Sequence, residues 1–258
     1  MKLIIFDIDG VIINNDNIEN NIIYSINKLK ERDIEFTFAT GRGFLRLEDI
    51  FSFIRPKVPI IIEDGSKIVD IIGNKLVSHP MPSNLIYGLK EILNVNELVF
   101  ATFSEFYTNQ YFYLVKDNKI IKEIETVKKY YCNKVTNSID EFINWAINSK
   151  CTKVTLKLNS VIADYNFSQF ETNLSEKNLL GITDRKINKA KGIIDLVNIL
   201  GISLNDIIYI GNDYNDISVF KLKIGKKVAV IDECPIELIE LSTDKVYSKD
   251  LPSLINNI

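Results

Sequence analysis

"KLIIFDIDGVI" occupies residues 2–12. Its apolar run stops at Asp7, resumes for one residue, breaks again at Asp9 and then meets Gly10. A strand buried on both faces reads as a continuous apolar, β-branched run, and such strands belong to parallel sheets. Carboxylates at the tip of such a strand cost desolvation free energy unless they are paired or bind a metal. Asp7 and Asp9 lie two apart, so in extended chain both side chains point the same way. Either they cap a turn or they do chemistry.

Outward from this stretch the text alternates. Residues 17–33 carry Ile22, Ile23, Ile26 and Leu29 at helical spacing. "IEFTFAT" (34–40) reads as a strand, "RLEDIFSFI" as a polar amphipathic stretch, and "VPIIIED" (58–64) as a third strand. Strand–helix–strand–helix–strand predicts a doubly wound, Rossmann-like parallel sheet with helices on both faces. Residues 66–79 then read as a hairpin around Gly73-Asn74.

At "HPMP" the rhythm breaks, and residues 82–183 read as an inserted α+β domain. Strands are expected at 97–103, 111–116 and 152–158, and helices at 138–149 and 164–174. Trp145, with Phe142 and Ile143 nearby, is assigned to that domain's core, and the charge-mixed run "KDNKIIKEIETVKK" to its solvated surface. The α/β text resumes with a helix at 188–202, a strand running into "GNDYND", and short strands at 226–232 and 244–248. Residues 1–81 and 184–258 thus form the expected core domain.

Composition narrows the function. A chain of 258 residues is large for one hydrophobic core, in keeping with two domains. A net charge of −3 offers no basic surface for nucleic acid. No run reaches the ~18 apolar residues of a membrane helix, and the first strand, broken by Asp7, does not read as a secretion signal. Cys132, Cys151 and Cys234 are scattered without metal or disulfide spacing, which suits a reducing cytoplasm. The single histidine, His79, stands in turn-forming sequence and is read as incidental.

Four stretches carry candidate chemistry: "DIDGV", "ATGRG", "NKAKGI" and "GNDYND". Three follow strands directly, and ligands of open parallel sheets sit beyond the carboxyl ends of their strands. Carboxylates with an amide oxygen are hard ligands suited to Mg²⁺. A hydroxyl and an ammonium suit phosphoryl oxygens. One carboxylate can attack phosphorus, and a second, two residues on, can move the proton.

In these motifs and their order the sequence resembles the haloacid dehalogenase superfamily of phosphatases, in its Cof-type, type IIB branch with a large cap between the second and third motifs. The resemblance spans nearly the whole chain. It implies Asp7 as nucleophile and Asp9 as acid/base. Thr40, Gly41, Arg42, Lys191 and Asn215 would lie around the phosphorylated substrate, and Asp7, Asp9, Asn212 and Asp216 at the metal. It further implies Mg²⁺, a small phosphorylated metabolite such as a sugar phosphate, and a cap that closes over the crevice.

Three positions depart from the family pattern. Asn212 stands where the fourth motif has its first acid, with Asp213 beside it. Asp64-Gly65 replaces the usual Asn-Gly after the third strand, and "VIDECP" replaces a Gly-Asn-Ala segment. Asn212 keeps a non-catalytic binding protein on the same fold among the alternatives, and a phosphotransferase or mutase would use the same residues. Lys186 and Lys189 are read as solvated helix lysines, and Lys191 is preferred because Gly192 follows it. Arg42 is expected either at substrate or paired with an acid such as Glu63.

Overall fold

A computed structural model describes residues 2–14, 17–32, 34–105, 110–116, 132–160, 167–174 and 178–258. The chain divides into two compact units, Met1–Ser78 with Ile187–Ile258, and His79–Lys186. The span 82–183 expected for the insertion lies inside the second unit, and His79 is that unit's first residue.

The first unit is built on a five-stranded parallel sheet in the order Asp244–Val246, Lys226–Val230, Ile207–Gly211, Leu3–Phe6, Glu35–Phe38. The opening stretch is its central strand, fully buried, with Phe6 level with Ile210 on one side and Phe38 on the other. Alternate residues serve opposite faces, as a pleated strand requires. Ile4, Phe6, Phe36 and Phe38 pack with Ile22, Ile26, Leu251 and Ile255 from helices Asn20–Leu29 and Leu251–Asn256. Leu3, Ile5 and Tyr209 pack with Ile193 and Leu196 of helix Lys189–Leu200. Each such aliphatic side chain contributes ~1.5–3 kcal/mol through burial. The sheet is therefore covered on both sides, and the carboxyl ends of three adjacent strands run into Asp7, Ala39-Thr40 and Asn212.

Two expectations are corrected here. Residues 58–64 do not continue the parallel sheet. Ile60–Ile62 heads a separate antiparallel sheet with Lys67–Val69 and Lys75–Ser78, joined to the strand Glu35–Phe38 through one parallel bridge, Ala39 to Ile61. Pro59 has no N–H to give a ladder, and its carbonyl instead accepts from the Thr37 hydroxyl. The second correction is at 164–174. Phe170–Leu174 is a strand, paired antiparallel with Leu179–Asp184; residues 161–166 lie outside the described set.

The second unit is a six-stranded sheet of mixed direction, with Cys132–Thr136 parallel and the other neighbouring strands antiparallel. Helices Ser83–Leu93 and Ile139–Asn148 pack together, and their buried residues share one core with the sheet. Phe142 lies edge-on to Phe103 at 5.3 Å between ring centroids, and Trp145 packs against Phe112. Most of the run 116–129 falls outside the described residues. Among the described residues no helix is long and apolar enough to cross a membrane.

Candidate active site

Asp7 is the first residue past the central strand, and its backbone N–H still donates to Ile210 O, so sheet pairing fixes its backbone. Its side chain is buried, and Oδ1 lies 2.9 Å from Lys189 Nζ. The chain then turns at Gly10, whose φ is +77°. A Cβ at Gly10 would fall 2.1 Å from Asn212 Nδ2. Glycine is thus required twice there, for the backbone conformation and to seat the Asn212 amide against the first loop.

Lys189 is the hub of the buried charges. It is the first residue of its helix, with Asn188 as N-cap accepting from Lys191 N. Its side chain is fully buried, and Nζ lies 2.6 Å from Asp216 Oδ1 as well as 2.9 Å from Asp7. Burial pulls the ammonium down, but Asp216, Asp7 and Asp64 outweigh it, and its pKa is raised. Burial pushes the Asp7 carboxyl well above the usual carboxylate range against the pull of Lys189, and Asp216 and Asp9 add to the rise. Both directions follow from one ammonium among several carboxylates.

Asp216 is fully buried and already occupied. Oδ1 accepts from Lys189 Nζ and, at 2.6 Å, from the Tyr209 hydroxyl; Oδ2 accepts from the backbone N–H groups of Asn212 (2.8 Å) and Asp213 (3.1 Å). Four donors fill the roughly four acceptor sites of a carboxylate. In this structure the acid expected at the metal holds the "GNDYND" loop and Lys189 in place. Asp213 accepts from Tyr214 N at 2.7 Å and caps the short turn Tyr214–Asp216.

Asp9 faces outward, and Arg42 grips it with both ends of the guanidinium, Nη2 at 2.5 Å from Oδ1 and Nε at 3.0 Å from Oδ2. Glu63, the acid suggested by the sequence as a partner for Arg42, forms a buried pair with Lys67 at 3.0 Å. Thr40 is buried, and its Oγ1 accepts from Arg42 N at 3.1 Å while Gly41 lies between them in the same turn. Thr40 O in turn accepts from Asp64 N. Glu63, Asp64 and Gly65 run through three successive left-handed conformations, φ +51°, +55° and +91°. Consecutive residues in that region are strained, and such strain gathers at functional sites.

Asp7, Asp9, Thr40, Gly41, Arg42, Asn212, Asn215 and Asp216 all fall in loops of the first unit; Asp7 and Asp216 meet at Lys189, Asp9 is held by Arg42, Arg42 N–H donates to Thr40, Thr40 and Asn215 meet Asp64, and Asn212 lies against Gly10. Lys191 is not brought to Asp7. Its ammonium pairs with Asp195 one turn along its own helix. Residues two apart on a helix are separated by about 200°, so only one of Lys189 and Lys191 can face the site. Gly192 has another use: a Cβ there would come within 2.6 Å of Ile61 and 2.9 Å of Gly65. It marks where the helix lies against the 63–65 turn. The sequence reading also missed Tyr209, and it noted Asp64 only as a departure from the family pattern, without assigning it to the site. Tyr209 had a signal, a hydroxyl in the middle of a strand otherwise made of isoleucine and glycine.

The oxygen-rich donor set fits a hard cation. Among the described residues, no three His, Cys, Asp or Glu side chains cluster as a metal site. Asn212 Oδ1, however, is buried without a hydrogen-bond partner, as is Asn215 Oδ1. A buried carbonyl oxygen left unpaired costs ~1–3 kcal/mol, so one beside the Asp7–Gly10 loop needs a reason, and a hard cation supplies it.

Comparison with known proteins places the fold in a family. A family model described as haloacid dehalogenase-like hydrolase matches residues 4–232. The chain belongs to that family and is a hydrolase of its Cof-type branch. A Mycoplasma genitalium protein, provisionally named a phosphatase, is 24% identical over 243 residues, covering 86% of this chain and 84% of its own. Among solved structures, a phosphatase of the superfamily from Bacteroides thetaiotaomicron superposes with a TM-score of 0.77 at 16% identity, covering 100% of this chain and 93% of that one. A subclass IIB sugar phosphatase superposes with a TM-score of 0.74 at 16% identity over 100% and 97% of the two chains. At these identities the structural likenesses show the fold, a parallel-sheet core with a cap.

Proposed function

We propose that the protein is a Mg²⁺-dependent phosphatase that hydrolyses small phosphorylated metabolites, sugar phosphates among them, through a phosphoaspartate on Asp7. The observation that carries the reading is the buried Asp7 carboxylate at the tip of the central strand, held 2.9 Å from the buried Lys189. With Oδ1 engaged by Lys189, Oδ2 is the oxygen presented to phosphorus. Its attack forms the acyl phosphate as the bond from phosphorus to the leaving oxygen breaks. Asp9 protonates that oxygen and later takes a proton from water, whose oxygen attacks the phosphoaspartate and frees Asp7. Arg42 orients Asp9 by its two-ended grip, and one of those bonds must open for Asp9 to carry the proton. Thr40 Oγ1 already accepts from Arg42 N, which leaves its own hydrogen for a phosphoryl oxygen. Asn215 and Gly41 complete the substrate's surroundings.

Asp7, Asp9 and the side-chain oxygen of Asn212 would hold Mg²⁺, which when bound offsets negative charge on the transferring group. Cys151 and Cys234 are not joined in a disulfide, which suits a reducing cytoplasm. The test is release of inorganic phosphate from p-nitrophenyl phosphate and a panel of sugar phosphates. Release that needs Mg²⁺ and stops with a chelator supports the reading. No release from any phosphate ester with Mg²⁺ present rejects it.

A further inference from the structure

Tyr209 carries a buried hydroxyl for which the chemistry above has no use. Its strand, Ile207–Gly211, is otherwise isoleucine and glycine, and its side chain is fully buried. The ring packs edge-on to Phe220, a contact that phenylalanine would make as well. A buried tyrosine hydroxyl usually finds a hydrogen-bond partner, and here it is Asp216 Oδ1 at 2.6 Å. Burial first, then the Asp216 charge, raises the Tyr209 pKa well above its ordinary value, so the hydroxyl stays a donor.

The strand is shaped for this contact. Gly211 lies two residues beyond Tyr209 and so belongs to the same face. A Cβ there would fall 2.5 Å from Asp216 Oδ2 and 2.8 Å from Tyr209 Cε1. The Gly211 backbone is outside the left-handed region, so the glycine supplies room rather than conformation. Without the hydroxyl, Asp216 would still accept from Lys189 Nζ and from the N–H groups of Asn212 and Asp213. Tyr209 therefore does not rescue an unpaired acid. What it changes is the oxygen shared with Lys189. Nζ lies 2.6 Å from Asp216 Oδ1 and 2.9 Å from Asp7 Oδ1, so two buried carboxylates draw on one ammonium. The positive end of the O–H dipole, set against Asp216 Oδ1, offsets part of that oxygen's pull.

We propose that Tyr209 is a positioning residue for phosphoryl transfer: its hydroxyl shares the Asp216 oxygen with Lys189 and so keeps the ammonium bridging to Asp7 instead of settling on Asp216. The inference rests on the phosphatase reading, in which Lys189 engages one oxygen of Asp7 and leaves the other for phosphorus. An ammonium that aims the nucleophile acts on the chemical step, so its loss shows in kcat and not in KM.

The test compares wild type, Tyr209→Phe and Phe220→Leu as full chains at saturating Mg²⁺. Phe220→Leu loosens the ring packing and leaves the hydroxyl in place. Tyr209→Phe is expected to lower kcat about tenfold with KM within about twofold, short of the ~10²-fold that a 1 Å misplacement of reacting groups can cost. Phe220→Leu should melt at a lower temperature yet keep kcat within about twofold. In a crystal structure of Tyr209→Phe without metal or substrate, Lys189 Nζ should lie beyond roughly 3.5 Å from Asp7 and remain on Asp216. Wild-type kcat in Tyr209→Phe overturns the proposal. So does a loss carried by KM alone, a loss of kcat with Lys189 unmoved, or an equal loss of kcat in Phe220→Leu. Thermal melting checks that each variant is folded at the assay temperature. Should Tyr209→Phe melt below it, all three proteins are compared in trimethylamine N-oxide, which strengthens burial, and the same outcomes decide. A wild type that releases no phosphate rejects the phosphatase reading and the proposal with it, whereas an active wild type beside an unaffected Tyr209→Phe rejects the proposal alone.

Discussion

The two units bury polar groups of different kinds. In the first, Asp7, Glu63, Asp64, Lys67, Lys189 and Asp216 are all buried, beside the hydroxyls of Ser25, Thr37, Thr40 and Ser66. In the second, the buried polar side chains among the described residues are threonines alone, Thr102, Thr136, Thr152 and Thr183. Both units have ample apolar cores, so stability does not explain the contrast. Isolated buried charges cost several kcal/mol each even after relaxation, and a buried ion pair often does no better than the apolar residues that could replace it. A chain keeps such a cluster where chemistry needs it. The first unit gives up stability for a site at the ends of its strands, and the second, among its described residues, buries no charge.

The largest expected effect lies at the centre of that cluster. Asp7→Asn removes the attacking oxygen and should lower turnover by ~10⁴-fold or more. Because burial raises the Asp7 carboxyl pKa, neutralising it should leave the melting temperature in metal-free buffer unchanged or higher. Near-normal turnover, or a fall in melting temperature of many degrees, would break the account of the cluster as functional charge held at a cost.

Next in size are the two lysines of one helix turn. Lys189→Met leaves Asp7 and Asp216 without their shared cation and should cost ~3–5 kcal/mol in urea unfolding at neutral pH. Lys191→Met removes only a half-exposed pair with Asp195, worth ~0.3–0.5 kcal/mol. Phosphate release should be lost with the first and kept within a few-fold with the second. The reverse result would restore Lys191 as the site lysine and undo the geometric assignment.

How much of this could be read from the sequence depended on the kind of signal. "DIDG", "ATGR" and "GNDYND" were visible because polar residues stood at the ends of apolar runs, where a parallel sheet puts its ligands. "IIIEDG" carries the same signal, yet Asp64 was noted only as a departure from the family pattern and not as a buried acid, because helix Lys189–Leu200 lies against the 63–65 turn, a contact far away in sequence. Lys189 was misread for a related reason. One lysine looks like another until the helix is oriented, and Gly192, used to choose between them, answers to packing on Gly65. Residues 164–174 read as a helix because Phe167, Phe170 and Leu174 recur at helical spacing. Over so short a stretch that spacing cannot be told from a strand, and pairing with Leu179–Asp184 decided it.

Tyr209→Phe is a smaller and sharper probe. The ring packs edge-on to Phe220 at 6.0 Å, and phenylalanine keeps that contact. Only the hydroxyl bonded to Asp216 is lost. A hydrogen bond to a charged group is worth ~1.5–3 kcal/mol, so urea unfolding should show a loss in that range. A loss under ~0.5 kcal/mol would mean that Asp216 draws its order from Lys189 and the backbone alone.

The smallest effect is expected in the second unit, and it has the opposite sign. Thr102 lies on the strand Leu98–Glu105, level with Tyr113 on one neighbour and Thr155 on the other. It is 6% exposed, and its Oγ1 is buried without a hydrogen-bond partner. In the first unit, unpartnered oxygens belong to Asn212 and Asn215, in the loop beside the buried acids, and to Ser66 beside the strained turn. Thr102 has no such neighbour in its own layer, which is packed around Phe103, Phe112 and Phe142. Its hydroxyl then forfeits a bond to water and gains none. Valine has the same shape, suits a strand at least as well and leaves no donor or acceptor behind. Thr102→Val should therefore be neutral or stabilising, by up to ~1 kcal/mol in urea unfolding, because replacing an unpaired group with an apolar one of the same shape removes its desolvation penalty. A loss of more than ~1 kcal/mol would show that the hydroxyl contributes to the fold, and the contrast between the two units' buried polar groups would narrow.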